Sequence, residues 1–107
     1  MKKLILFVLL LIISFGGFSQ TDSKDKAAKI TNEMTEVLSL NKEEKTKVYA
    51  IQLKRFQEVK LIRETHKENP ETKKTELKKV YDRLYGKLLG NLGKEKMLVW
   101  KNYKLNN

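Results

Sequence analysis

Five residues, Leu40-Asn41-Lys42-Glu43-Glu44, constrain this chain more than any others, because they form a helix start followed by a long helical periodicity. Asn41 is a favoured N-cap, since its side-chain oxygen can accept from the first free backbone N–H groups. Glu44 stands three residues on, where a carboxylate can reach back to the cap's own N–H and close a capping box. Glu43 and Glu44 also place negative charge at the positive end of the helix dipole. Leu40 supplies the apolar residue before the cap. Lys45 occupies the position of its staple partner, so the staple is missing here.

The helix launched at Asn41 is expected over residues 42–67. Val48, Ile51, Val59 and Ile62 form its central apolar line, and Tyr49, Leu53 and Phe56 widen that line sideways. The combined stripe covers about half the circumference, more than one neighbouring helix needs. Two arrangements satisfy it: two neighbours, or one neighbour and an exposed binding face. Tyr49, Leu53 and Phe56, flanked by Arg55 and Arg63, are the candidates for such a face. Arg55 lies within the stripe, and either snorkels its head into water or faces a binding groove. Leu61 falls alone on the opposite side. His66 is the only histidine. Near a helix C-terminus it reads as a capping or packing residue.

Glu68-Asn69-Pro70 is the clearest break. Proline disfavours helix at the residue before it and suits the first position of the next helix, with Asn69 as its cap. So short a connection implies an antiparallel pair. The next helix is expected over 70–89, with Leu77, Val80, Tyr81, Leu84, Tyr85 and Leu88 as its stripe and Gly90 as its left-handed cap. A tight turn at Asn91-Leu92-Gly93 would lead to a short helix over 94–104, with Trp100 and Tyr103 packed on the pair and the last residues frayed. Upstream, Ala27, Ile30, Met34, Val37 and Leu38 share one face of a lead-in helix over 24–39, with Ser23 as its cap. No strand signal occurs. The expected fold is all-α: a long antiparallel helical hairpin with a lead-in helix and a short C-terminal helix, forming one domain over 27–104.

The first residues read as an export signal. Lys2 and Lys3 precede an unbroken apolar run from Leu4 to Ile13, and Gly17-Phe18-Ser19 offers small residues at cleavage spacing. Cleavage is expected after Ser19, with Gln20 as the next choice, and residues 20–26 would form a disordered lead. A retained membrane anchor is the rival, but the run is shorter than the roughly 20 residues that span a bilayer. Export places the protein in the periplasm or outside the cell. With no cysteine it has neither a lipid attachment site nor disulfides, so a domain this small is expected to gain stability as a homodimer.

Charge and chemistry narrow the function. The whole chain carries a formal +10. Losing Lys2 and Lys3 would leave 21 basic against 13 acidic side chains. Export argues against nucleic acid as the partner of that charge. It serves either as a solvated surface or as an attraction for acidic polypeptides or an anionic membrane surface. One histidine, no cysteine and scattered methionines assemble no metal site, and no cofactor is implied. Carboxylates at solvated helical positions next to lysines do not make a catalytic set, so an enzyme is not expected.

The helix start at Leu40 has an echo. Leu92-Gly93-Lys94-Glu95-Lys96 repeats its layout 52 residues later. Here Met97 completes the staple opposite Leu92, while Lys96 takes the place of the box acid. The pair resembles the two Leu-Thr-x-x-Gln motifs of the Spy/CpxP-type family of exported helical proteins. Leu40 and Leu92 match the family leucines, Asn41 and Gly93 stand at the threonine positions, and Glu44 and Lys96 at the glutamine positions. The signal, the helical reading, the basic charge and the absence of cysteine agree with that resemblance over nearly the whole mature chain. It implies two motifs close together in a helical hairpin that dimerises into a cradle. It also implies ATP-independent chaperone activity on unfolded polypeptides, or a role in the envelope stress response. The alternatives are a regulatory partner of one envelope sensor or sigma-factor system, and a membrane-surface binder.

Overall fold

The computed structural model describes residues 22–107, and all its regular elements there are helices. They are α1 over 22–38, α2 (Lys42–Thr65), α3 (Pro70–Leu92) and α4 (Lys94–Asn106). The expected signal over 1–19 and residues 20–21 of the lead lie outside the described residues. Residues 22–26, expected as a disordered lead, are already helical, and Ser23 is buried inside the helix instead of capping it.

The first two helices meet in a tight turn. Ser39 takes a left-handed conformation (φ 52°), and the Leu40 N–H donates to Thr35 O at 3.2 Å. This is the six-to-one bond of a Schellman ending, with serine where glycine is usual. The capping box then starts α2 as the sequence suggests. Asn41 Oδ1 accepts from the Glu44 N–H at 2.8 Å, and Glu44 Oε1 accepts from the Asn41 N–H at 3.1 Å. α2 stops at Thr65, two residues short of Lys67, with His66 as its C-cap and the His66 N–H bonded to Ile62 O at 2.9 Å. Asn69 caps α3 through Thr72 N–H (3.2 Å), with Pro70 in the first position.

The far end of α3 departs from expectation. The helix runs through Gly90 and Asn91 to Leu92, and the left-handed glycine is Gly93 (φ 88°), which is both the C-cap of α3 and the N-cap of α4. Packing accounts for the extra residues. Leu84, Leu88 and Leu92, spaced four apart, are all buried, so continuing the helix seats one more leucine in the core. A glycine inside a helix costs only about 1 kcal/mol, less than burying a leucine gains. α4 likewise extends beyond residue 104, to Asn106. The Asn106 and Asn107 side chains bond back to the carbonyls of Asn102 and Tyr103, each at 2.9 Å.

The core lies at one end of the molecule. Met34 and Leu38 of α1, Leu40, Val48 of α2, Leu84, Leu88 and Leu92 of α3, and Met97 and Trp100 of α4 form one buried cluster. α2 packs on α3, and α3 on α4. From Leu53 to Lys79 no side chain is fully buried. This arm comprises the second half of α2, the connection, and the first part of α3. It carries Leu53, Phe56, Val59, Ile62 and Leu77, every one half-exposed. Glu58 and Arg83 tie α2 to α3 beside it, at 2.9 Å.

Candidate functional site

The two helix starts come together. Leu40 and Leu92 are both buried (8% exposed each) and belong to the same cluster. Lys96 Nζ donates to Glu44 Oε2 at 2.6 Å, joining the third residues of α2 and α4 across 52 positions of sequence. The lysine that displaces the box acid in the second start thus answers the acid of the first. Its hydrogen bond, with the Asn41 N–H adding to it, holds the Glu44 carboxyl below the usual glutamate range. Gly93 offers no side-chain cap, and its backbone (φ 88°, ψ 164°) is a conformation almost confined to glycine. All six motif residues serve the packing of helix ends.

The candidate binding face divides in two. Tyr49, Leu53 and Phe56 are half-buried and Arg63 is exposed. Their spacing of four, three and seven sets them along one side of α2. Arg55 belongs to the neighbouring line with Val48, Gln52, Val59 and Ile62, and turns towards α3. Of the five, only Arg55 lines the two grooves that flank the α2–α3 contact.

The smaller groove, about 220 Å³, is edged by Lys54, Glu58, Arg83 and Lys87. The larger, about 630 Å³, draws on all four helices. Ile30, Leu84, Leu88 and Met97 make its apolar side, Tyr81, Tyr85 and Trp100 its aromatic side, and Arg55, Lys101 and Lys104 its cations. Tyr81 and Tyr85 were expected inside the α3 stripe. They are 62% and 42% exposed instead, because Val80, Leu84, Leu88 and Leu92 fill the narrower line that α3 turns to the core. Trp100 stacks on Tyr103, with ring centroids 5.5 Å apart, and Lys104 Nζ lies 5.4 Å from the centre of the indole. Tyr103 Oη donates to Glu33 Oε2 at 3.0 Å, which raises the phenol's pKa, with burial adding to the effect.

Beneath the groove runs a polar thread that the periodicity did not reveal. Gln52 is buried, its Nε2 3.6 Å from Met34 Sδ, and its Oε1 accepts from Arg55 Nη1 at 3.2 Å. Arg55 also lies over the Phe56 ring, 4.3 Å from its centre. Burial pulls the guanidinium's pKa down, with the nearby Tyr81 phenol opposing. The one signal for Gln52 was its place four residues after Val48 and three before Arg55. The groove's contribution from α4 (Trp100, Lys101 and Lys104) carried no distinct pattern, since the apolar residues of that helix are spread around it.

No group of three His, Cys, Asp or Glu side chains able to hold a metal occurs among the described residues. No described helix is long and apolar enough to cross a membrane. Comparison with protein-family profiles, curated proteins and solved structures finds no match.

Proposed function

We propose that this is an exported, non-enzymatic binding protein of the Spy/CpxP kind. It acts as an ATP-independent chaperone or stress-response protein that holds unfolded polypeptides on basic and apolar helical surfaces. In this reading α2 and α3 are an antiparallel hairpin, and two copies pair to frame a cradle. The lysine-rich surface draws in acidic segments from a distance. Half-exposed apolar side chains then make weak, replaceable contacts.

The observation that carries the reading is the arm. Leu53, Phe56, Val59, Ile62 and Leu77 lie along it, yet no residue from 53 to 79 is fully buried. Each of these five keeps part of its surface open to water, and that part is what a client would meet. The meeting of Leu40 and Leu92 in one cluster, bridged by Glu44 and Lys96, supports the pairing of two helix starts that the resemblance implies.

The test is aggregation of a reduced or chemically unfolded client at low salt. Equimolar protein should slow the rise in light scattering, and Leu53→Asp with Phe56→Asp should remove most of that protection. If no test client is slowed at equimolar protein, the chaperone reading fails. Envelope pull-down of a single protein at one-to-one ratio, with no general protection, would indicate a dedicated regulatory partner instead.

A further inference from the structure

The large groove has a chemistry of its own, and it meets the arm only at Arg55. Its apolar side is built from residues of the core, so its walls are held in place by the fold. Its volume, about 630 Å³, lies within the 300–1,000 Å³ usual for small-molecule sites. A polypeptide helix needs a larger surface than this.

The polar groups are one-sided. Arg55, Lys101 and Lys104 line the groove, and none of the three forms an ion pair with a carboxylate among the described residues. The one acid in the lining, Asp82, is already taken by Lys78 at 2.9 Å. Arg55 is the most telling. It is half-buried at the meeting of α2 and α3, and Gln52 Oε1 is the single hydrogen-bond partner of its guanidinium among the described residues. A guanidinium has five N–H donors in a planar fork matched to a carboxylate. Most of that fork is unused, and apolar and aromatic walls lie on either side of it.

We propose that this groove binds a monomeric single-chain carboxylate amphiphile, a free fatty acid. Arg55 takes the carboxylate, and the walls formed by Tyr81, Tyr85 and Trp100 take the chain. Lys101 and Lys104 add attraction at the mouth. The apolar tail gains by leaving water, and the head meets a guanidinium that has no carboxylate partner among the described residues.

Trp100 is the only tryptophan of the chain and lines the groove, so it reports occupancy directly. Laurate, titrated below its micelle concentration, should change Trp100 emission saturably at one per chain. Dodecanol, with the same tail and no charge, should bind about tenfold more weakly or worse, as loss of a charged hydrogen bond predicts. Arg55→Gln should weaken laurate by a similar factor and leave dodecanol unchanged. Should Arg55→Gln lose helicity by circular dichroism, Lys101→Gln with Lys104→Gln gives a milder version of the same loss. Equal affinity for laurate and dodecanol, or no saturable response to laurate, overturns the proposal. So does an equal response to phosphatidylglycerol vesicles, displacement of laurate by a glutamate-rich peptide, or a Trp100 change on dilution that laurate does not alter. Those three outcomes would assign the groove to a membrane, a polypeptide or a second copy. Neither Leu53 nor Phe56 lines the groove, and Leu53→Asp alone leaves the Arg55–Phe56 contact in place, so either proposal can fail alone.

Discussion

The core end and the arm are made from the same helices, yet they meet water in opposite ways. At the core end four helices converge, and residues such as Met34 (0% exposed) and Leu88 (3%) are enclosed on every side. In the arm α2 packs on α3, and Leu53, Phe56, Val59 and Ile62 all keep partial contact with water. The difference is one of neighbours more than of side-chain type, since Ile62 is as apolar as Leu88. Enclosure gives stability at the expense of open surface. Half-coverage gives up stability and leaves a surface.

The largest expected effect tests that contrast directly. Leu88→Ala removes an enclosed side chain and leaves a cavity that the packed core cannot fill, at a cost of about 2–5 kcal/mol. Ile62→Ala removes a side chain that water already touches, so it should cost about 1 kcal/mol. Urea unfolding of the two variants measures both. Comparable losses would mean that the arm is as well enclosed as the core, by a second copy of the chain, and the contrast would fail.

Next in size is the junction that closes the core end. Gly93 holds φ 88° and ψ 164°, and a Cβ built there meets nothing within 4 Å. The cost of Gly93→Ala is therefore all backbone, about 1–3 kcal/mol. Gly90, three residues earlier, is in an ordinary helical conformation, again with open space around a Cβ. Gly90→Ala should stabilise the protein by up to about 1 kcal/mol. Opposite signs at two glycines three residues apart, read as shifts in Tm, would sharpen the boundary between α3 and α4. A loss at Gly90 would mean that the helix ends there after all.

These two glycines also show where the sequence was legible. Starts were readable because side chains make them: the bonds from Asn41, Glu44 and Asn69 follow from residue types at fixed offsets. The end of α3 falls at Gly93 instead of Gly90 because the burial of Leu92 carries the helix past the first glycine. Helical periodicity found Met34, Val48, Leu84 and Leu88, but it admitted Tyr81 and Tyr85 to the core. At 100° per residue each sits beside a stripe member, and the width of the buried line depends on neighbours the sequence does not place. For the same reason periodicity does not separate Arg55 from Tyr49, Leu53 and Phe56, although it faces another side of α2 and lines the groove. Periodicity alone does not single out Gln52, because burial of an amide depends on partners from other helices, here Met34 as well as the local Arg55.

The smallest expected effect concerns the bridge between the two helix starts. Glu44 meets Lys96 at 2.6 Å, with its side chain about 20% exposed, and its carboxyl titrates below the usual glutamate range. A carboxyl whose pKa is depressed by folding lends stability that is present above its unfolded value, near 4.3. That stability is lost as pH falls through the lower folded value. The advantage of the native protein over Lys96→Met should therefore be largest near neutral pH and shrink in acid. Carbon-detected NMR of the Glu44 carboxyl should show its midpoint rising towards the ordinary value in the variant. Salt should weaken the bridge little, since it is partly enclosed by the helix starts it joins. The bridge acts at the core end alone, so Lys96→Met should leave client protection by the arm unchanged. If protection fell together with the bridge, the two ends would be coupled, and the arm's open face would depend on how α2 and α4 begin.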